Sequence, residues 1–157
     1  MKLESQKGAI LPMNKTDALA FLDKQAVLML GTIGDDGAPQ MRAVINIRNG
    51  GIAPHLVGFF KGDDRILIIT NTSSDKIGQI RAEDKASLYA YDQQFHGLLL
   101  MGRVREVLDA SVKDALWDDS WVMYYPDGKD GGDFSVLVFE PESYKSYANF
   151  SVEKGSF

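Results

Sequence analysis

Cysteine is absent from the 157-residue chain. That excludes disulfides, thiolate-bound metal and a cysteine nucleophile. Histidine is nearly absent too: only His55 and His96 occur, so a multi-histidine metal centre would need carboxylates to complete it, and no metal site is expected. No apolar run reaches the roughly 18 residues that a membrane-spanning helix needs. The N-terminal stretch carries no apolar signal core followed by a small-residue cleavage site. These absences together lead us to expect a cytoplasmic protein with no membrane partner. Basic runs are also missing, and a formal net charge of −5 argues against nucleic-acid binding, which is driven by Lys and Arg neutralising phosphates. No HExxH, paired-carboxylate or nucleophile-elbow pattern occurs, and no GxGxxG follows a strand.

What is present is ordinary for a globular chain: 45% hydrophobic and 25% charged residues. The length suits one domain with a substantial core. We expect a single unit over 1–157, with an N-terminal arm over 1–13, a barrel over 14–150 and a tail over 151–157. Asn14 to Asp17 offers helix caps ahead of Ala18, Leu19, Phe21 and Leu22. A strand over 26–33 leads through the Asp-Gly turn at 34–37 into a second strand over 39–47, with Arg42, Val44 and Asn46 on one face and Met41, Ala43, Ile45 and Ile47 on the other. Residues 54–60 read as extended, 65–70 as a buried strand and 75–83 as a short helix. Strands follow over 86–91 and 97–107, then a helix over 111–117 capped by Asp109. The last two strands, 134–139 and 144–147, are expected to be split by a turn at Pro141. Hairpins at 34–37 and 48–51 leave no room for crossover helices, so the pattern predicts a mainly β antiparallel barrel or sandwich with a few short helices.

The stretch Thr70-Asn71-Thr72-Ser73-Ser74-Asp75-Lys76, together with Arg42, carries the most chemistry. A strand that ends in hydroxyl and amide residues and opens a helix with a lysine in its first turn suits an anion, because free N–H groups and the helix dipole favour a phosphate. A simpler local reading has Ser73 or Ser74 capping the helix and Lys76 in solvent, helix caps being far commoner than phosphate sites.

Leu30-Gly31-Thr32-Ile33 through Ala38-Pro39-Gln40-Met41-Arg42-Ala43-Val44 resembles the opening hairpin of the pyridoxamine 5'-phosphate oxidase-like, FMN-binding split-barrel proteins. Thr70-Asn71, Ser74, Lys76 and Ile80 are similar to that family's second block. Gly102, Leu116-Trp117, the Tyr125-Pro126-Asp127-Gly128 stretch and Glu140-Pro141 followed by Tyr144 look most like its general stress protein branch. The resemblance spans 16–150 and implies a six-stranded antiparallel Greek-key split barrel forming a homodimer with FMN at the interface. It implies a cofactor-binding set of Arg42, Ala43, Val44, Ile45, Ile69, Thr70, Asn71, Ser74, Lys76, Trp117 and Tyr147, with Arg42 and Lys76 on the phosphate and the backbone of 43–45 beside the ring. Trp117 reads first as an anchor of its helix on the barrel rather than as a flavin contact, and Tyr147 stands where the family often has a tryptophan. The aromatic loop 121–132 is expected to cover the ring, and His96 to be exposed at a turn. A small-molecule electron donor, a nicotinamide or similar, and an acceptor would be the partners. A flavin-storing role or a flavin-less interaction module are the alternatives, and a deazaflavin could replace FMN.

Departures from the pattern are specific. Ile47 stands at the position of the oxidase's substrate lysine, Asp75 at that of the arginine beside the phosphate lysine, Gly97 at that of the flavin-contacting glutamine, and Leu99 at that of the substrate arginine. The C-terminal Arg-x-His signature is missing. Pyridoxamine 5'-phosphate oxidase activity is therefore not expected, and no catalytic residue is named.

Overall fold

The computed structural model describes residues 14–157, so the arm expected over 1–13 lies outside the described residues. Asn14 opens this part of the chain with a reciprocal cap. Its side chain accepts from the Asp17 N–H at 2.8 Å, and the Asp17 carboxylate accepts from the Asn14 N–H at 3.3 Å. Two donors that the first turn would leave unpaired are thereby satisfied. Helix α1 (Lys15–Asp23) follows, with Ala18, Phe21 and Leu22 turned inward.

Seven strands are described: β1 (Val27–Ile33), β2 (Pro39–Ile45), β3 (Ile66–Asn71), β4 (Lys85–Tyr91), β5 (Gly97–Glu106), β6 (Phe134–Ala148) and β7 (Ser151–Ser156). Two further helices, α2 (Asp75–Ala82) and α3 (Ala110–Leu116), and two short 3-10 turns at Pro54–Leu56 and Asp119–Met123 complete the chain. All strand pairs are antiparallel, in the order β2-β1-β4-β5-β6-β3, with β7 also on β6. β2 and β3 end this path without bonding each other, so the sheet curls but does not close. Val44 of β2 nevertheless shares one core with Ile66 and Ile68 of β3. The architecture is the mainly β split barrel expected, with one strand more.

β3 shows how the pattern dictates the packing. Ile66 and Ile68 enter the barrel core with Leu30, Leu100 and Phe139, while Leu67 and Ile69 enter a second cluster outside the barrel with Leu116, Trp121, Tyr125 and Phe134. A strand buried on both faces requires an uninterrupted apolar run, which 66–69 supplies. Each buried side chain of this size contributes about 1.5–3 kcal/mol.

Five expectations need correction. Residues 54–60 are not extended: Pro54 starts a 3-10 turn, and Leu56 and Phe60, one helical turn apart in sequence, both enter the second cluster. Pro141 does not split the last strands. It sits opposite Gly102 at a register shift in the β5–β6 ladder, where a Cβ on Gly102 would collide with the Glu140 carbonyl. The bulge absorbs the missing N–H, and β6 runs unbroken from Phe134 to Ala148. The expected tail is strand β7, returned by a two-residue turn at 149–150. The segment 121–132 is not purely a surface cover, because Trp121 and Tyr125 are core residues. β2 also ends at Ile45 rather than 47, with Met41 and Ile45 exposed and Val44 buried. Among the described residues no helix is long and apolar enough to cross a membrane.

Candidate functional site

Arg42 points to the barrel side of β2, as its alternation with Met41 and Ala43 requires. Its Nη1 donates to Thr32 Oγ1 at 2.6 Å and to the Leu30 carbonyl at 3.3 Å, and its Nη2 donates to Gln79 Oε1 at 3.0 Å. Thr32 Oγ1 in turn donates to Gln79 Oε1 at 2.7 Å, and Gln79 Nε2 donates to Gln40 Oε1 at 2.7 Å. A guanidinium has five N–H donors. Three are claimed here, which leaves Nε–H and one Nη2 hydrogen, the pair on one edge of the fork, without a described partner.

Lys76 lies in the first turn of α2. Its ammonium donates to Thr70 Oγ1 and Ser74 Oγ, both at 2.7 Å, leaving its third hydrogen unclaimed. Ser74 is the N-cap by position, yet its side chain makes no cap bond, being turned to Lys76. The simpler local reading therefore fails on both counts: neither is the serine a cap nor the lysine free in solvent. The N–H groups at the start of α2 stay uncapped by side chains and carry the positive end of its dipole.

Burial holds both cations below their ordinary pKa values. Desolvation is the main cause for Arg42, offset by the charge of Asp75; for Lys76 desolvation comes first, then the positive charge of Arg42, again offset by Asp75. The two cations thus feel each other, and among the described residues neither has a carboxylate within ion-pair distance. Half-buried positive charge with unused donors and no direct counterion is a cradle for an anion with several acceptor oxygens.

The structure thus brings Arg42, Thr70, Ser74 and Lys76 together. Ala43 and Ile45 face outward beside Met41, and the backbone of 43–45 lies on β2, an end strand of the sheet. Ile69 points the other way, into the second cluster. Asn71 is engaged with Asp133: its Nδ2 donates to Asp133 Oδ2 at 2.6 Å, while Asp133 Oδ1 accepts from the Ser73 N–H and hydroxyl, both at 3.0 Å. Trp117 packs edge-on against Phe134 at 5.1 Å and donates from Nε1 to Asp119 Oδ1, as an anchor would. Tyr147 lies on β6 opposite Gly97 and makes no described contact with the cradle residues. A side chain at Gly97 would collide with the Tyr89 ring, so Tyr89 fills the space left by the small residue.

Three residues that the sequence did not single out matter here. Thr32 and Gln79 orient Arg42, and Asp133 pins the turn 71–73. Gln79 was findable: it lies three positions after Lys76 and next to Ile80, on the face of α2 that meets the barrel. Asp133 was not, because its partners are sixty or more positions away in the chain. His96, expected to be exposed, is half-buried with Nδ1 2.8 Å from Asp92 Oδ2. His55 is bound to the Leu116 carbonyl through Nε2 at 2.9 Å.

The sequence model of the pyridoxamine 5'-phosphate oxidase family matches residues 15–148. Among solved structures, a Clostridium acetobutylicum protein related to general stress protein 26 of B. subtilis superposes with a TM-score of 0.73 at 24% identity, covering 92% of this chain and 97% of that one. General stress protein 26 of Bacillus anthracis gives 0.69 at 13% identity, with 91% and 98% covered. A pyridoxamine 5'-phosphate oxidase-related, FMN-binding protein of Nostoc punctiforme gives 0.62 at 15% identity, with 90% and 93% covered. At these identities the likeness speaks for the fold. No curated protein matches the chain.

Proposed function

Because the chain belongs to the pyridoxamine 5'-phosphate oxidase family, we propose that it binds FMN through the Arg42–Lys76 cradle and acts as a flavin-dependent oxidoreductase other than pyridoxamine 5'-phosphate oxidase. The observation that carries this reading is the pair of half-buried cations with unused donors and no ion-paired carboxylate. The free edge of the Arg42 guanidinium offers two parallel N–H groups to a phosphate, Lys76 adds a point charge, and the uncapped start of α2 adds backbone donors. Bound there, FMN supplies redox chemistry through its isoalloxazine ring, while the protein supplies position and electrostatics. The backbone of Ala43, Val44 and Ile45 on the end strand is the element that would run beside the ring.

The reading includes a homodimer with the flavin at its interface. It is supported by the outward apolar side chains of one sheet region, Val27, Met41, Ile45, Tyr89 and Tyr91, which are all exposed in the single chain. Trp117 lies on Phe134 in the second cluster and Tyr147 lies opposite Gly97 on β6; neither is part of the cradle, and in this reading they would approach the flavin from the second copy. The two positions at which the resemblance implies substrate-binding cations hold none here, since Ile47 is buried in the second cluster and Leu99 stands at the other.

Titration of the flavin-free protein with FMN, riboflavin and a deazaflavin tests the reading. Tight FMN and weak riboflavin binding is the expected result; equal affinity for riboflavin would remove the phosphate assignment. A second reading, a flavin-less interaction module, draws on Asp75, whose charge already acts on both cations. Absence of binding to all three compounds would favour it.

A further inference from the structure

Among the described residues, three that are not glycine have left-handed backbone: Phe95 (φ 62°), Asn149 (φ 51°) and Phe150 (φ 61°). They belong to two turns. Between β4 and β5 the Phe95 N–H donates to the Asp92 carbonyl and the Asp92 N–H to the His96 carbonyl, closing a three-residue loop whose last position takes positive φ and favours glycine. Between β6 and β7 the loop is Asn149-Phe150 alone, flanked by the paired Ala148 and Ser151. Positive φ at both loop residues is the type I′ turn, for which Asn-Gly is preferred. Both turns therefore put phenylalanine in the place of glycine, at a cost in backbone strain. Neither ring recovers that cost by packing within the chain, Phe95 being 85% and Phe150 96% exposed.

β5 and β6 bring the two turns side by side, with Gly97 opposite Tyr147. A depression of about 390 Å³ lies there, lined by Gln94, Phe95, His96, Tyr147, Asn149 and Phe150. His96 is fixed at its edge: Nδ1 is 2.8 Å from Asp92 Oδ2, and Asp92 Oδ1 accepts the N–H groups of Gln94 and His96 at 2.9 and 3.0 Å. With Nδ1 held by a carboxylate, Nε2 is the nitrogen left for a ligand. Among the described residues no lysine or arginine lines the depression, and its one histidine already faces a carboxylate, so an anionic ligand meets no counter-charge from them. The volume suits a one- or two-ring molecule.

We infer that this depression binds a neutral, planar ring carrying carbonyl oxygens, the quinone class, between Phe95 and Phe150, with a carbonyl oxygen toward the Tyr147 hydroxyl and His96. Two aromatic walls that are strained and unpacked in the free chain gain their contacts when a flat ring enters. Only Tyr147 is shared with the proposed flavin site, and binding of the ring does not rest on the flavin reading.

Calorimetric titration of the flavin-free protein with menadione, a neutral naphthoquinone, tests the assignment against the Phe95→Gly/Phe150→Gly variant. Glycine removes both rings and relaxes both backbones, so the variant keeps its fold and its melting temperature stays level or rises. Saturable binding of one menadione per chain is expected, weakened at least about tenfold in the variant, with FMN affinity equal in the two proteins. Lack of menadione binding by the unmodified protein, or equal binding by the variant, overturns the assignment. So does a change in oligomeric state of the variant with menadione binding retained, since the rings would then serve contacts between copies. Failure to bind FMN in parallel titrations counts against the cradle alone and leaves this site standing.

Discussion

Arg42 stands in the middle of β2 and Arg48 just past its end, and they have opposite surroundings. The Arg48 side chain is 5% exposed, with Nε 2.6 Å from Asp23 Oδ1 and Nη1 donating to the Asp63 and Arg65 carbonyls at 2.9 and 3.0 Å. Its guanidinium also lies over Phe60, 5.0 Å from the ring centroid. That arginine ties the end of α1 to the approach to β3, and it has a carboxylate to balance its charge. Arg42 is given only neutral acceptors and keeps one edge unclaimed. A cation whose charge is balanced by a carboxylate is scaffold. A half-buried cation left short of partners is tolerated where a ligand completes it, because in the free protein its desolvation is not compensated.

The contrast can be broken most severely at Arg48. Arg48→Ala leaves two carbonyls without their donor and Asp23 without its partner, and is expected to cost about 2–4 kcal/mol. Urea denaturation would show this as a lower midpoint with an unchanged slope, and a loss below about 1 kcal/mol would mean that Arg48 is no clip. The Arg42→Ala/Lys76→Ala variant is expected to behave in the opposite way. Stability should hold within about 1 kcal/mol, because Thr32 and Gln79 keep their mutual hydrogen bond and two desolvated like charges are removed. FMN affinity should fall by at least about a hundredfold, since charge-assisted hydrogen bonds are worth about 1.5–3 kcal/mol each. Unchanged FMN affinity in that protein would end the cradle as a phosphate site.

The sequence was most legible where one local pattern had one physical solution. The apolar run 66–69, the Asp-Gly turn before Pro39 and the Asp109 cap of α3, whose carboxylate accepts from the Ser111 N–H at 2.9 Å, all formed as read. It failed where a partner far along the chain altered the local preference. Pro141 looked like a break because its accommodation depends on Gly102 across the ladder. Residues 151–157 have little apolar content to announce a strand, and the edge of β6 recruits them. The cradle was half legible: Arg42, Thr70, Ser74 and Lys76 were named, yet that Ser74 serves Lys76 rather than the helix end depends on geometry that no spacing states.

A smaller effect is expected from pH. The Lys76 pKa is lowered in the folded protein by burial and by Arg42, so between that lowered value and about 10.5 the unfolded chain binds more protons than the folded one. Stability of the flavin-free protein should therefore gain from this group as pH rises through that window. FMN affinity should change in the opposite sense, falling as Lys76 loses the charge that a phosphate needs, and Lys76→Arg should flatten the decline. Melting curves and FMN titrations over the same pH series compare the two directly. Parallel trends, or the same decline in Lys76→Arg, would show that another group governs the alkaline behaviour.

Asp75 offers the smallest and sharpest test, because among the described residues it is the one carboxylate whose charge acts on both Arg42 and Lys76. It lies in the first turn of α2, where the helix dipole also favours a negative group. Asp75→Asn should cost the flavin-free protein about 0.3–1 kcal/mol, since two half-buried cations lose their counter-charge and the helix loses an acid at its positive end. The same change removes an anion that stands close to the incoming phosphate. FMN should therefore bind a few-fold more tightly, by about 0.5–1 kcal/mol, with the gain shrinking as salt is added. Lower stability paired with higher affinity is a signature that a purely structural carboxylate would not give. If affinity fell together with stability, Asp75 would instead be holding the start of α2 in place, and the positive charge of the cradle would owe its position to that carboxylate.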